Sequence, residues 1–219
     1  MSHHASNKRA RKSNDMSCQC QAASYKGPED HFRRDMLKYM SLAIPVANLA
    51  LAGSASGAIN KPERLPPQVG DRLTYFSKKK RGQVIKISDL SELDKQQLIL
   101  PFDVQNEVVR DGSRYNQILL QKLPEGALSE ETKAMSAKGI VAYSAICPHA
   151  GCPVTGWVTD DEHYMCPCHQ SVFNPKNSGV VMAGPAPRNL PALPLTLEGD
   201  EIVVAGSFNT WIGFGKPPR

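Results

Sequence analysis

The chain has 219 residues, room for one ordinary domain with a leader or for two very small domains. With 41% hydrophobic and 21% charged residues it is a folding chain, and 17 Pro and 16 Gly against 6 Phe and 6 Tyr favour a loop-rich β protein over a helical bundle. The net charge of +5 is local: residues 1–38 hold eight Lys/Arg and four Asp/Glu, which leaves the remainder at +1 and removes the main support for nucleic-acid binding.

In chain order, the first feature is the pair Arg33-Arg34 with Leu37-Lys38 just beyond. An apolar stretch from Tyr39 to Ala52 and a small-residue run over 53–58 follow. Together these form a bacterial export signal of the twin-arginine kind. Pro45 argues against a simple amphipathic helix. From Tyr39 to Ile59 the stretch just reaches the roughly 20 residues that span a bilayer, so residues 1–58 read as a signal or a membrane anchor. Either way the folded part is expected on the periplasmic side of the inner membrane, where disulfides persist. Cys18 and Cys20 are incidental to it.

Residues 59–70, with Pro62, Pro66 and Pro67, read as a stiff extended linker with a reach of roughly 30 Å. The domain proper is expected over 71–219. Apolar or alternating runs predict strands at 73–76, 84–87, 98–104, 117–123, 140–146, 180–183, 193–197 and 202–204. Asp111-Gly112 and Gly199-Asp200 supply turns. One short helix is expected from Ser129 as N-cap through Ala137, with Glu130 and Glu131 in its first turn. The expected class is all-β: a small antiparallel sandwich or barrel base with a Gly/Pro-rich lobe at about 145–190 inserted in it, preceded by a helical signal or anchor. Residues 88–138 carry no motif, and Lys78 to Arg81 read as a charged turn.

The chemistry is concentrated in Cys147-Pro148-His149-Ala150-Gly151-Cys152 and Cys166-Pro167-Cys168-His169-Gln170-Ser171. The pattern is C-x-H and C-x-x-H, each half with one further cysteine. Short spacings let each loop aim a thiolate and an imidazole into a common space. Two sulfur and two nitrogen ligands suit either one tetrahedral zinc or a [2Fe-2S] cluster. Zinc leaves the two extra cysteines without a role, whereas a bridge between Cys152 and Cys168 would tie one loop to the other. A clamp of that length contributes about 3 kcal/mol. An all-disulfide framework would leave both histidines unexplained.

Over about residues 139–205 the sequence resembles the Rieske iron-sulfur proteins of the disulfide-containing type found in cytochrome bc complexes and arsenite oxidases. The resemblance implies that Cys147 and Cys166 bind the inner iron, His149 and His169 the outer iron, and that Cys152 and Cys168 form the bridge. It makes Gly184-Pro185-Ala186-Pro187 the proline loop over the cluster. Ser171 matches the family's serine that hydrogen-bonds a bridging sulfide. Phe173 stands where high-potential members have a tyrosine that reaches a ligand sulfur, which implies a lower potential here. Pro148 and Ala150 replace the usual threonine and leucine of the first loop, at odds with the usual quinol-docking surface.

Such a cluster is neutral when oxidised and carries one negative charge when reduced. The implied function is one-electron transfer as a subunit of a membrane-associated respiratory complex, from quinol to a c-type cytochrome beside a cytochrome b subunit. The alternative is an electron relay for a molybdopterin subunit of arsenite-oxidase type. A Rieske oxygenase needs a further iron held by two histidines and a carboxylate, and after His31 only His149, His163 and His169 remain. His163, beside Asp160, Asp161 and Glu162, reads as surface, and Arg188 as a solvated charge.

Overall fold

The computed structural model describes residues 61–92 and 95–215; Arg33, Arg34, Cys18 and Cys20 lie outside them. Eleven strands are present among the described residues: β1 (Arg72–Tyr75), β2 (Gln97–Asp103), β3 (Val108–Val109), β4 (Ile118–Lys122), β5 (Ile140–Ser144), β6 (Gly156–Val158), β7 (His163–Met165), β8 (Val172–Asn174), β9 (Val180–Ala183), β10 (Leu195–Glu198) and β11 (Glu201–Val204). The base sheet runs in the order β10-β11-β1-β2-β4-β5, with β3 beside β2. The lobe sheet runs β6-β7-β8-β9, and both sheets are antiparallel throughout. The chain thus builds most of the base, leaves it to form the lobe, and returns for the last two base strands. The expected all-β base with an inserted lobe is what forms.

The base sheet curls until its two ends meet. Ser144 N–H donates to Pro191 O (2.8 Å) and Leu193 N–H to Ala142 O (2.9 Å), which lays the segment before β10 against β5 and covers both edges. Period-two alternation then serves two cores at once. Ile118 and Leu120 of β4 and Ile140 and Ala142 of β5 join Leu73, Ile99 and Ile202 inside the base. Leu119, Val141 and Tyr143 face the other way, into a second core shared with Val154, Tyr164, Phe173, Cys147 and Cys166 of the lobe. Each fully buried Ile or Leu contributes about 1.5–3 kcal/mol.

Between β4 and β5 lies the helix α1 (Glu130–Met135), capped by Ser129 Oγ, which accepts the Thr132 N–H. It stops two residues short of the predicted end because Ala137 and Ile140 close a tight turn through paired backbone bonds of 3.0 Å. Lys138 (φ +48°) and Gly139 (φ +77°) occupy the left-handed region there. Gly139 is also irreplaceable sterically, since a Cβ would lie 2.2 Å from Leu123 O.

Two segments differ from their sequence reading. Val84–Ile87 is not a strand: Val84 and Lys86 make single bridges to Thr74 and Glu201, and a 3-10 turn begins at Ile87. Asp89 accepts the Lys86 N–H at 2.9 Å, and this local bond competes with strand pairing. The proline-rich segment is not extended throughout: Pro62–Arg64 form a 3-10 turn, closed by Arg64 N–H on Lys61 O (2.8 Å), and the segment is tied along the base. Arg110, buried and paired with Asp71 at 2.6 and 2.9 Å, donates to Pro62 O (3.1 Å). Asn116 Nδ2 donates to Leu65 O (2.7 Å), and Gly112 N–H to Glu63 O (2.8 Å). Among the described residues no helix is long and apolar enough to cross a membrane.

Candidate metal centre

Two loops meet at the end of the lobe, and their backbones repeat one design. Cys147 N–H donates to Cys152 O (2.8 Å) and Gly151 N–H returns to Cys147 O (2.9 Å). In the second loop Cys166 N–H donates to Ser171 O (2.8 Å) and Gln170 N–H returns to Cys166 O (2.9 Å). The turn residue four positions after each cysteine is left-handed, Gly151 at φ +74° and Gln170 at φ +58°. Loop one grows directly out of β5 and is held to it by Val154 N–H on Ala145 O (2.8 Å). Loop two is the connection from β7 to β8.

The donor atoms are graded in depth. Cys147 and Cys166 are both 1% exposed and neither is in a disulfide. Burial pushes the Cys147 thiol up, and the neighbouring Cys166 sulfur pushes the same way. The Cys147 thiol is therefore costly to ionise unless a metal cation neutralises it. Toward solvent, the half-buried His149 and the exposed His169 turn their Nδ1 atoms to one another at 3.2 Å, with perpendicular rings 4.6 Å apart. Of the four predicted donors the structure sets the two thiols side by side in the interior and the two imidazoles side by side toward solvent.

Cys152 and Cys168 form the disulfide that joins the loops, with a Cα–Cα distance of 6.6 Å. The Cys166 sulfur lies within 4.8 Å of both bridge sulfurs, but atoms bonded to each other are not thiolate ligands. The bridge holds the loops face to face.

The proline loop is seated on loop two by a close approach and one hydrogen bond. Gly184 has φ +85°, and a Cβ there would fall 2.5 Å from Ser171 Cα and 2.8 Å from Gln170 O. The buried Ser171 Oγ accepts the Ala186 N–H at 3.1 Å, the donor that Pro185 and Pro187 lack. That accepting role leaves the hydroxyl proton for a second bond. Phe173 is fully buried on β8, directly across from Tyr164 of β7.

Arg188 is not the solvated charge expected from the sequence. It is half-buried, stacks on Trp211 with 4.2 Å from Cζ to the ring centroid, and donates Nη2 to Gly213 O. Arg114, missed in the sequence, donates Nη2 to Gly151 O of loop one. Thirty-seven residues separate that pair, and no local pattern announces it. His163 sits in β7 opposite Val158.

The family model of the Rieske [2Fe-2S] domain matches residues 82–194. This chain belongs to the Rieske [2Fe-2S] family. A candidate Rieske subunit of a respiratory nitrate reductase from Haloferax mediterranei is 37% identical over 108 residues, 48% of this chain and 48% of that protein. The cytochrome bc1 complex Rieske iron-sulfur subunit of Streptomyces lividans is 33% identical over 112 residues, 51% of this chain and 64% of that one. The chain thus spans less than two thirds of the length of these relatives. The crystal structure of the soluble domain of Rieske protein II from Sulfolobus acidocaldarius has a TM-score of 0.37 and 23% identity, covering 47% of this chain and 67% of that one. As a Rieske protein the chain carries one [2Fe-2S] cluster, with the disulfide of the bc type. Two thiols and two imidazoles converging from paired loops fit that group, and the zinc alternative falls.

Proposed function

We propose that this chain is the one-electron-transfer subunit of a membrane-associated respiratory complex, taking electrons from quinol and passing them to a c-type cytochrome, with cytochrome b as its larger partner. In this reading Cys147 and Cys166 hold the inner iron and His149 and His169 the outer one. The observation that carries it is the pair of facing Nδ1 atoms, 3.2 Å apart at the open end of the lobe above two buried thiols. Relatives named as subunits of cytochrome bc1 and b6-f complexes support the same partners.

When bound, the cluster supplies reversible one-electron chemistry at a potential above that of all-cysteine clusters. The chain's residues do the rest. Cys147 and Cys166 keep the sulfur side dry. With Nδ1 turned inward on both rings, Nε2 is the atom at which each imidazole can hold or release a proton. His169 is exposed enough to do so against a bound hydrogen donor. Arg33-Arg34 and the apolar stretch after them support export of the folded domain through the twin-arginine route to the periplasmic side.

The test is a reduced sample of the full chain. Stoichiometric iron and acid-labile sulfide, a Rieske-type EPR spectrum, and rapid reduction by a quinol analogue followed by oxidation by cytochrome c are expected. Colourless protein containing zinc overturns the cluster; a cluster that quinol does not reduce overturns the donor. A second reading, an electron relay for a molybdopterin subunit, is favoured by the relative named for a nitrate reductase and by Ala150 and Phe173 in place of the usual residues. Co-purification with a molybdopterin subunit in place of cytochrome b would establish it.

A further inference from the structure

The chain continues past β11, and residues 205–215 cross from the base to the lobe. Asn209 fastens this strap to the backbone of Ala192: its N–H donates to Ala192 O (3.0 Å) and its Oδ1 accepts the Ala192 N–H (2.9 Å). Further along, Trp211 lies under the Arg188 guanidinium, and Arg188 also donates to Gly213 O. Arg188 directly follows the proline loop. The strap then reaches the other loop, where Phe214 rests on Gly151 so closely that a Cβ there would sit 3.0 Å from its ring. One segment thus touches both the first cysteine loop and the end of the cover over the second.

We propose that residues 205–215 are a positioning element for the cluster, holding loop one through Phe214 and the proline loop through Trp211 and Arg188, so that both loops stay closed on the metal together. The residues involved explain why it needs an aromatic. Among the described residues no carboxylate lies within ion-pair distance of Arg188, so the indole face is the group that compensates its charge. Burial without a counter-ion lowers the Arg188 pKa, and removing the indole leaves that cation still less supported. The Phe214 ring pressed on Gly151 limits how far loop one can open.

This inference rests on the cluster assignment above, and its test separates the two. Iron release to a chelator, EPR line width of the reduced cluster, and amide exchange are measured on the full chain and on Trp211→Ala, Trp211→Phe and Phe214→Ala. Trp211→Ala should release iron about fivefold faster, broaden the EPR lines and expose the Ala186 amide, while Trp211→Phe keeps an aromatic face and behaves as the parent. Phe214→Ala should instead expose the Gly151 and Cys147 amides and leave Ala186 protected. Loaded variants with unchanged release, spectra and exchange overturn the strap's role. A parent chain without iron and sulfide overturns the cluster assignment, and the strap's role with it.

Discussion

The base and the lobe reach order by different means. In the base, β2, β4 and β5 are five to seven residues long, and β4 and β5 bury side chains on both faces. In the lobe, β6, β7 and β8 have three residues each and are half-buried for the most part. The lobe substitutes cross-links for apolar area: a disulfide, two knuckles closed by backbone bonds, and Gly184 pressed on Ser171. A region held this way can present two imidazoles to solvent, because its stability does not require covering them. The base resists opening by burial; the lobe depends on covalent and metal bonds.

The sharpest way to break that contrast is to remove a buried sulfur. Cys147→Ser or Cys166→Ser should abolish iron and sulfide binding and the EPR signal, while the far-ultraviolet circular dichroism of the base sheet persists. Loss of both together would show that the base depends on the metal. The next largest effect belongs to the base: Arg110→Ala leaves Asp71 buried without its bidentate partner and should cost about 3–5 kcal/mol in chemical denaturation. It should also free residues 62–65, read as proteolysis there, with cluster spectra unchanged.

The same network sets an acid limit. Asp103 lies below the usual carboxylate range, first through the Asn106 side-chain hydrogen bond and also through Arg110. A depressed folded pKa means the unfolded chain binds the proton more readily. Stability from Asp103 is therefore complete above its unfolded value near 4 and is lost as pH falls through the lower folded value. Urea midpoints that do not fall between about pH 4 and 2 more for the parent than for Asp103→Asn would contradict this.

Opening the disulfide is a smaller step confined to the lobe. Cys152→Ser with Cys168→Ser removes a link across 16 positions, worth about 3 kcal/mol. The cluster should be lost on mild heating, at a temperature where the parent retains it, with the base transition unmoved by calorimetry. A single cooperative transition shifted as a whole would mean that the two regions unfold as one unit.

This contrast also governs what the sequence discloses. The base strands are long enough for periodicity to mark them, and the ligand loops are local motifs, so Cys147, His149, Cys166 and His169 are legible by spacing. Gly156–Val158, His163–Met165 and Val172–Asn174 are too short for any period to register, and the two-residue β3 likewise. Arg114 on Gly151 and Arg188 on Trp211 are contacts between distant segments, fixed by tertiary geometry alone. Val84–Ile87 has strand composition, but Asp89 offers the backbone a local partner that wins.

The smallest expected effect is also the most specific. Phe173 is fully buried in the core that contains Cys147 and Cys166, opposite Tyr164. Reduction adds one negative charge to the centre, so a hydroxyl donating toward a ligand sulfur stabilises the reduced form and raises the midpoint potential. Phe173→Tyr adds one oxygen to a packed site, at a cost of about 1–3 kcal/mol if it finds no acceptor and less if it reaches sulfur. The two quantities should move together: a raised midpoint in film voltammetry with nearly parental stability places the hydroxyl on the ligand. An unchanged midpoint with lowered stability would mean that position 173 belongs to the lobe's packing and not to its redox tuning.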